Sequence, residues 1–356
     1  MMPNSSTQEL NDYRTLVGLV ERYSPTRSES EAVKWLVGRM ASVGFSQASM
    51  DEAGNAVGVM GDGPRQLMLL GHIDTVPGEI PVKIEGDLLF GRGTVDAKGP
   101  LATFVEAVAR LKPVDGWRIV VIGAVEEEGD SSGARFVASQ YQPDYAIIGE
   151  PSQWDRITLG YKGSAWAEMT VRRQVSHSAG QDQSACEVGV EVWNRISAWA
   201  QARNAAKARV FEQVSPSLRD WSSGSDGFEE WAKLEVGVRL PPELSPQRWY
   251  AKAKQLAGDA EVQQVGYPIG AYQAEKNTPL VRAFLGAMRD RGGKPRFLFK
   301  TGTADLNIVA PAWGCPAVAY GPGDSSLDHT PEEHISLSEY SRAVEVLEDA
   351  LSRLIR

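Results

Sequence analysis

Gln-Leu-Met-Leu-Leu-Gly-His-Ile-Asp-Thr-Val-Pro-Gly, residues 66–78, opens as a short apolar run and closes in polar, turn-forming residues. A run of this length, bounded by such a turn, reads as a buried strand with His72 and Asp74 at its carboxyl end. The same form recurs downstream. Trp117–Val125 is an apolar run ending at Glu126-Glu127-Glu128, and Tyr145–Ile148 is another, ending at Gly149-Glu150. Helical patterns alternate with these strands. In 28–43, Ala32, Val33, Leu36, Val37, Met40 and Val43 recur at helical spacing, and Pro100 sits in the first turn of a helix reaching Leu111, where its missing N–H does no harm. Strands alternating with helices imply an α/β fold with a mostly parallel sheet, and such sheets place their sites at the carboxyl ends of the strands.

The pattern changes near residue 160. Ala165–Arg173 and Lys233–Leu240 alternate like half-exposed strands, 183–208 and 247–258 read as helices, and the Ser-, Gly- and Asp-rich 215–227 reads as a loop. From Asn277 the α/β pattern returns: helices 277–290, 303–311 and 337–355, strands 296–299 and 316–320. The expected organisation is therefore a catalytic domain of residues 1–160 and 273–356, interrupted by an inserted α+β domain over 161–272. Helix 7–23 completes the amino-terminal part.

Bulk properties narrow the function. The chain has 356 residues, 42% apolar and 23% charged, with a net charge of −9. An acidic balance argues against a nucleic-acid binder, and no apolar run is long enough to span a bilayer. The first residues carry no apolar signal core, and Cys186 and Cys315 are far apart in sequence, which fits reduced thiols in the cytoplasm.

Only four histidines occur, and two of them stand in the most informative stretches: His72, and His329 in Gly-Asp-Ser-Ser-Leu-Asp-His-Thr-Pro-Glu-Glu-His (323–334). With Asp96, the glutamate run and Glu150, they supply imidazoles and carboxylates enough for two zinc ions rather than one. Taken singly each residue has an ordinary explanation: a polar turn for His72, a helix cap for Asp96, solvated loops for the others. Their joint occurrence at strand ends points to a metal-dependent hydrolase.

These motifs resemble the dinuclear-zinc deacylase family that includes acetylornithine deacetylase, succinyl-diaminopimelate desuccinylase, aminoacylase and the glutamate carboxypeptidases. The matching stretches are 71–77, Gly-Arg-Gly-Thr-Val-Asp-Ala-Lys-Gly (91–99), Glu-Glu-Glu-Gly (126–129), Gly-Glu-Pro (149–151) and Asp-His-Thr (328–330). The resemblance implies two Zn2+ per subunit, with Co2+ a possible substitute. In it His72 binds one zinc, Asp96 bridges both, Glu127 and His329 hold the second, and Glu150 completes the first. Asp74 orients His72, and Glu126 is the general base. The family reads Asp-Glu-Glu where this chain reads Val-Glu-Glu-Glu; a slip by one residue makes Glu127 the base and Glu128 the ligand.

The inserted domain resembles the family's lid and dimerisation domain. The resemblance implies an oxyanion-stabilising role for His177, often exerted in the partner subunit, and a substrate-carboxylate role for Arg239 beside Lys300, Thr301, Gly302 and Thr303. The aspartate usual two residues before that arginine is Gly237 here. Through Gly-Glu-Ile-Pro-Val-Lys-Ile-Glu-Gly (78–86), Lys-Thr-Gly-Thr-Ala-Asp (300–305) and the stretch 321–334, the chain most resembles, within the family, hydrolases that release lysine or ornithine from an acidic amino-group carrier protein. That implies a cytoplasmic homodimer with a carrier as substrate, binding neither nucleic acid nor membrane. Arg172, Arg173, Arg203, Lys207 and Arg209 offer a basic surface for such a carrier, or simply a solvated face. Two other expectations stand beside it: a deacylase of small N-acyl amino acids, and a non-catalytic metal-binding protein that keeps the fold.

Overall fold

The computed structural model describes residues 13–111, 115–177 and 180–356. Part of the expected helix 7–23 lies outside them; its remainder forms Arg14–Val20. The chain divides into two compact units, one of residues 1–160, 274–298 and 304–356, the other of 161–273 with 299–303. The short piece 299–303 thus joins the second unit, although the sequence pattern assigns it to the catalytic segment.

The first unit is built on one twisted sheet. Its strands are β1 (Gln47–Met50), β2 (Ala56–Met60), β3 (Arg65–His72), β6 (Trp117–Ala124), β7 (Tyr145–Gly149), β8 (Arg156–Tyr161) and β15 (Ala317–Tyr320), in the order β1-β2-β6-β3-β7-β15-β8. A small separate sheet contains β4 (Lys83–Glu85), β5 (Leu88–Phe90) and β16 (His334–Ser336). The central neighbours β6, β3, β7 and β15 are parallel, whereas β1, β2 and β8 are attached antiparallel. Leu67, Met68, Leu69 and Leu70 of β3 are fully buried, as a parallel strand covered on both faces requires. Each such side chain stabilises by roughly 1.5–3 kcal/mol relative to exposure. Helix Lys98–Arg110 lies close to the sheet: a Cβ on Gly149 would come within 3.0 Å of the Gly71 backbone and 3.1 Å of the Phe104 ring.

The second unit holds an antiparallel sheet of β9 (Gly163–Gln174), β10 (Ser215–Ser225), β11 (Glu229–Leu240) and β12 (Glu261–Ile269), ordered β10-β11-β9-β12. Its core joins Ala165, Met169, Leu234, Val236 and Trp249 with helices Ala185–Asn204 and Pro246–Ala257. Ser184 and Glu187 form a capping box that fixes where the longer helix starts. The remaining short strands are β13 (Tyr272–Gln273) and β14 (Arg296–Lys300).

One element contradicts the sequence reading. Residues 215–225 are not a loop but β10, paired along nearly its whole length with β11. It is an edge strand whose residues are all partly or fully exposed, so its stability comes from main-chain pairing, which leaves little mark in composition.

Candidate metal-dependent active site

The parallel register gathers the site. His72 is opposite Ala124 at the ends of β3 and β6, and Gly71 is opposite Gly149 at the end of β7. The residues just beyond these strand ends, Glu126–Glu128 and Glu150, therefore emerge side by side with His72. Asp96 comes from the turn preceding helix Lys98–Arg110, and the Asp96–Ala97 peptide is cis. His329 comes from the loop between β15 and β16, with a positive φ of 62°. Such backbone is uncommon in a non-glycine residue, though histidine is among the types that adopt it more readily.

Asp96 lies between the two imidazoles. Its Oδ1 is 3.1 Å from His72 Nε2 and its Oδ2 is 3.1 Å from His329 Nε2. The other ring nitrogen of His72 lies 3.0 Å from the Asp74 carbonyl and 3.5 Å from its carboxylate. Asp74 does more than orient His72. Its carboxylate also accepts the N–H groups of Glu127 (3.0 Å) and Glu128 (3.1 Å) and the Thr26 hydroxyl (2.9 Å). One buried carboxylate thus fixes the imidazole and the glutamate turn together.

That turn sets the register of the three glutamates. Glu128 Oε1 lies 2.9 Å from His329 Nε2, and His72, Asp96 and Glu128 bring ligand atoms within 4.8 Å of one another. Glu126 instead has a positive φ of 62° and faces Arg27, with 3.9 Å between Arg27 Nε and its Oε2. The glutamate beside His329 is Glu128 rather than Glu127, the neighbour that the slipped register expects, and the Asp74 clamp spans Glu127 and Glu128. Glu127 keeps some accessible surface but sits in dense, acidic surroundings.

The electrostatics describe a site built for cations. Burial works against charge on His72, yet bonds to Asp74 and Asp96 and the nearby Glu127 carry its pKa well above the ordinary imidazole value. Hydrogen bonds with Asp96 and Glu128 push His329 up to about 10. Burial opposes ionisation of Asp96, but His329 and His72 hold its pKa far below the usual carboxylate range. Burial raises Glu127 well above the carboxylate range; Asp305, Glu150 and Glu128 add to this and His72 opposes it. Without metal, then, imidazolium protons compensate the clustered carboxylates. Deprotonated imidazole and carboxylate oxygens are the donors zinc or cobalt takes, so this donor set fits a divalent metal.

Two buried acids of this unit have an electrostatic or structural part in the site that the sequence motifs do not reveal. Asp305, whose pKa burial pushes up to about 7, belongs to the electrostatic surroundings of Glu127. Glu333 is fully buried and hydrogen-bonded to the Asp96 amide. It differs in nothing from the adjacent Glu332 as a letter in the sequence; only burial separates them.

In the second unit, Arg239 Nη1 donates to Thr303 Oγ1 at 3.3 Å, and the amide of Lys162 donates to the Lys300 carbonyl at 3.1 Å. Arg239, Lys300 and Thr303 are thus neighbours in that unit. Thr301 and Gly302 complete the turn after β14. His177 is exposed beyond β9, its carbonyl accepting the Gly180 N–H. Most of the basic surface is already paired: Arg172 with Glu229 and Lys207 with Glu243, at 2.8 and 2.9 Å, and Arg209 with Glu212.

Comparison with known proteins agrees with this architecture. The model of Peptidase family M20/M25/M40 matches residues 68–353, and the chain belongs to that family. It is therefore a hydrolase with a catalytic unit of the metallopeptidase type. A Deinococcus radiodurans protein named [LysW]-lysine hydrolase is 47% identical over 325 residues, 89% of each chain. A Saccharolobus solfataricus protein named [LysW]-lysine/[LysW]-ornithine hydrolase is 28% identical, over 91% of this chain and 90% of its own. Among solved structures, an M20 family metallo-carboxypeptidase from Sulfolobus solfataricus shares the fold with a TM-score of 0.77 at 18% identity, covering 98% of this chain and 99% of that one.

Proposed function

We propose that this hydrolase releases lysine, and ornithine as a second product, from the carrier protein LysW in lysine and arginine biosynthesis. The bond cut is the amide between the side chain of the carrier's terminal glutamate and the α-nitrogen of the amino acid. The observation that carries the reading is the 47% identity to a [LysW]-lysine hydrolase over 89% of both chains.

In this reading His72, Asp96 and Glu150 would hold one divalent metal, and Asp96, Glu128 and His329 would hold the other, with Asp96 shared between them. Two zinc ions, when bound, would supply Lewis acidity that polarises the amide carbonyl and eases deprotonation of water. Glu127 is the general base. It stands next to the ligand Glu128 without sharing its contacts with His329, and a carboxylate held there by the Asp74 clamp on its amide is placed to accept and return a proton. Glu127 then delivers that proton to the departing α-amino group. Asp74 keeps the His72 ring and the Glu127–Glu128 backbone in place. From the second unit, His177 donates to the developing oxyanion, while Arg239, with Lys300 to Thr303, takes the α-carboxylate of the released amino acid, for which a planar fork is suited.

The same reading makes the protein a cytoplasmic homodimer joined through its second unit. The two cysteines are unpaired, and the edge strand β12 leaves Val265 and Tyr267 exposed. Light scattering on the purified protein checks the dimer; a monomeric mass removes it.

Steady-state hydrolysis compares carrier-linked lysine with acetylornithine. Preference for the carrier by two or more orders of magnitude in kcat/KM is expected. Preference for acetylornithine would keep the metal chemistry and move the protein to small-molecule deacylation, a reading that the internally paired basic surface favours.

A further inference from the structure

Arg92 and Glu333 form a buried ion pair beside the site, with 2.9 Å between Nη1 and Oε2 and side chains 7% and 1% exposed. The pairing of β5 with β16 brings them together: His334 is opposite Phe90, and the Gly91 N–H donates to the Glu333 carbonyl at 3.3 Å. The remaining donors and acceptors of the pair reach three loops. Glu333 Oε1 accepts the N–H groups of Val95 (2.9 Å) and Asp96 (3.1 Å). Arg92 donates from Nη1 to the Thr330 carbonyl at 3.1 Å and from Nε to the Gly78 carbonyl at 2.8 Å. The backbone of Asp96 and the residue next to His329 are therefore fastened to one buried salt bridge.

A buried ion pair is a weak source of net stability, because desolvation offsets most of its attraction. What this one supplies is geometry. His72 is the last residue of β3 and is held by Asp74, and Glu150 follows directly from β7. Asp96 and His329 sit instead in irregular loops, and for those loops the pair takes the part that a strand plays for His72. We propose that Arg92 and Glu333 are positioning residues that hold Asp96 and His329 at the separation needed for the metal bound by Asp96, Glu128 and His329, so that losing the pair empties that metal subsite first. The inference rests on the two-metal reading above.

The test titrates metal-free protein with cobalt, following visible absorption and bound metal per chain. The variants are Glu333→Gln and the doubly neutral Arg92→Met/Glu333→Leu, which leaves no unpaired buried charge. Wild type should take up two equivalents. The variants should remain folded, take up one tightly, and bind the second about 10–100-fold more weakly, in the range seen when groups supporting a metal ligand are removed. At saturating metal, kcat should fall while KM changes little. Two equivalents taken up by both variants with wild-type affinity and spectrum would overturn the inference alone. Failure of the wild type itself to bind two would sink the underlying reading instead.

Discussion

The two units hold their functional side chains in different ways. In the first, His72, Asp74 and Glu333 are buried and joined to the backbone of neighbouring loops by short hydrogen bonds. In the second, Arg239 is only partly buried and His177 is exposed on a loop. Groups that must hold a metal tolerate little displacement, whereas groups that meet only the substrate, its carboxylate or its developing oxyanion, must admit and release it. Under the proposed function, the rigid first unit would carry the metals and the general base, and the more open second unit the substrate contacts.

The sharpest way to break that division is at the glutamate turn. Glu127→Gln should lower kcat by about 10²–10⁴-fold, the usual contribution of a positioned general base, with both metals retained. Glu126→Gln should stay within a few-fold of wild type; a larger loss there than at Glu127 would restore the original register. His329→Ala comes next: bound metal per chain, read by elemental analysis after dialysis, should fall toward one. For the second unit the expected signature is in KM. Arg239→Ala should raise it about 10-fold or more, as loss of a charged hydrogen bond worth about 1.5–3 kcal/mol implies, with kcat far less affected. Neutralising Arg203, Lys207 and Arg209 together should change KM for the carrier least, because Lys207 and Arg209 are already engaged with Glu243 and Glu212.

Proton linkage sharpens the first half of the comparison. In the metal-free protein His329 has a pKa of about 10 against an ordinary 6.5. Its stabilising contribution is full below the unfolded value and is lost as pH rises through the folded one. The chelated protein should therefore lose thermal stability between neutral pH and pH 10 more steeply than the metal-loaded protein. Metal uptake at pH 7 should release protons, because the ligand is the neutral imidazole; calorimetry in buffers of different ionisation enthalpy measures this. Uptake without proton release would contradict the electrostatic description of the site.

Much of the first unit was legible in the sequence because its strands are buried on both faces and end at chemically distinctive residues. Leu67 to Leu70, followed by Gly71 and His72, announces both the strand and its functional end. The register of Glu126-Glu127-Glu128 was not legible: three identical letters are told apart only by the Asp74 carboxylate that clamps two of their amides, a contact across more than 50 positions. Glu333 was hidden for the same reason. In the second unit, β10 and β12 were missed because exposed edge strands take their order from pairing rather than from apolar alternation.

The most direct test follows the carrier itself. Carrier protein bearing lysine on its terminal glutamate would be mixed with excess zinc-loaded enzyme and, in parallel, with zinc-loaded Glu127→Gln protein, and its intact mass read over time. Loss of one lysine by the wild type alone is the predicted result. Loss of lysine with both proteins at equal rates would contradict the catalytic assignment, and loss with neither would contradict the function.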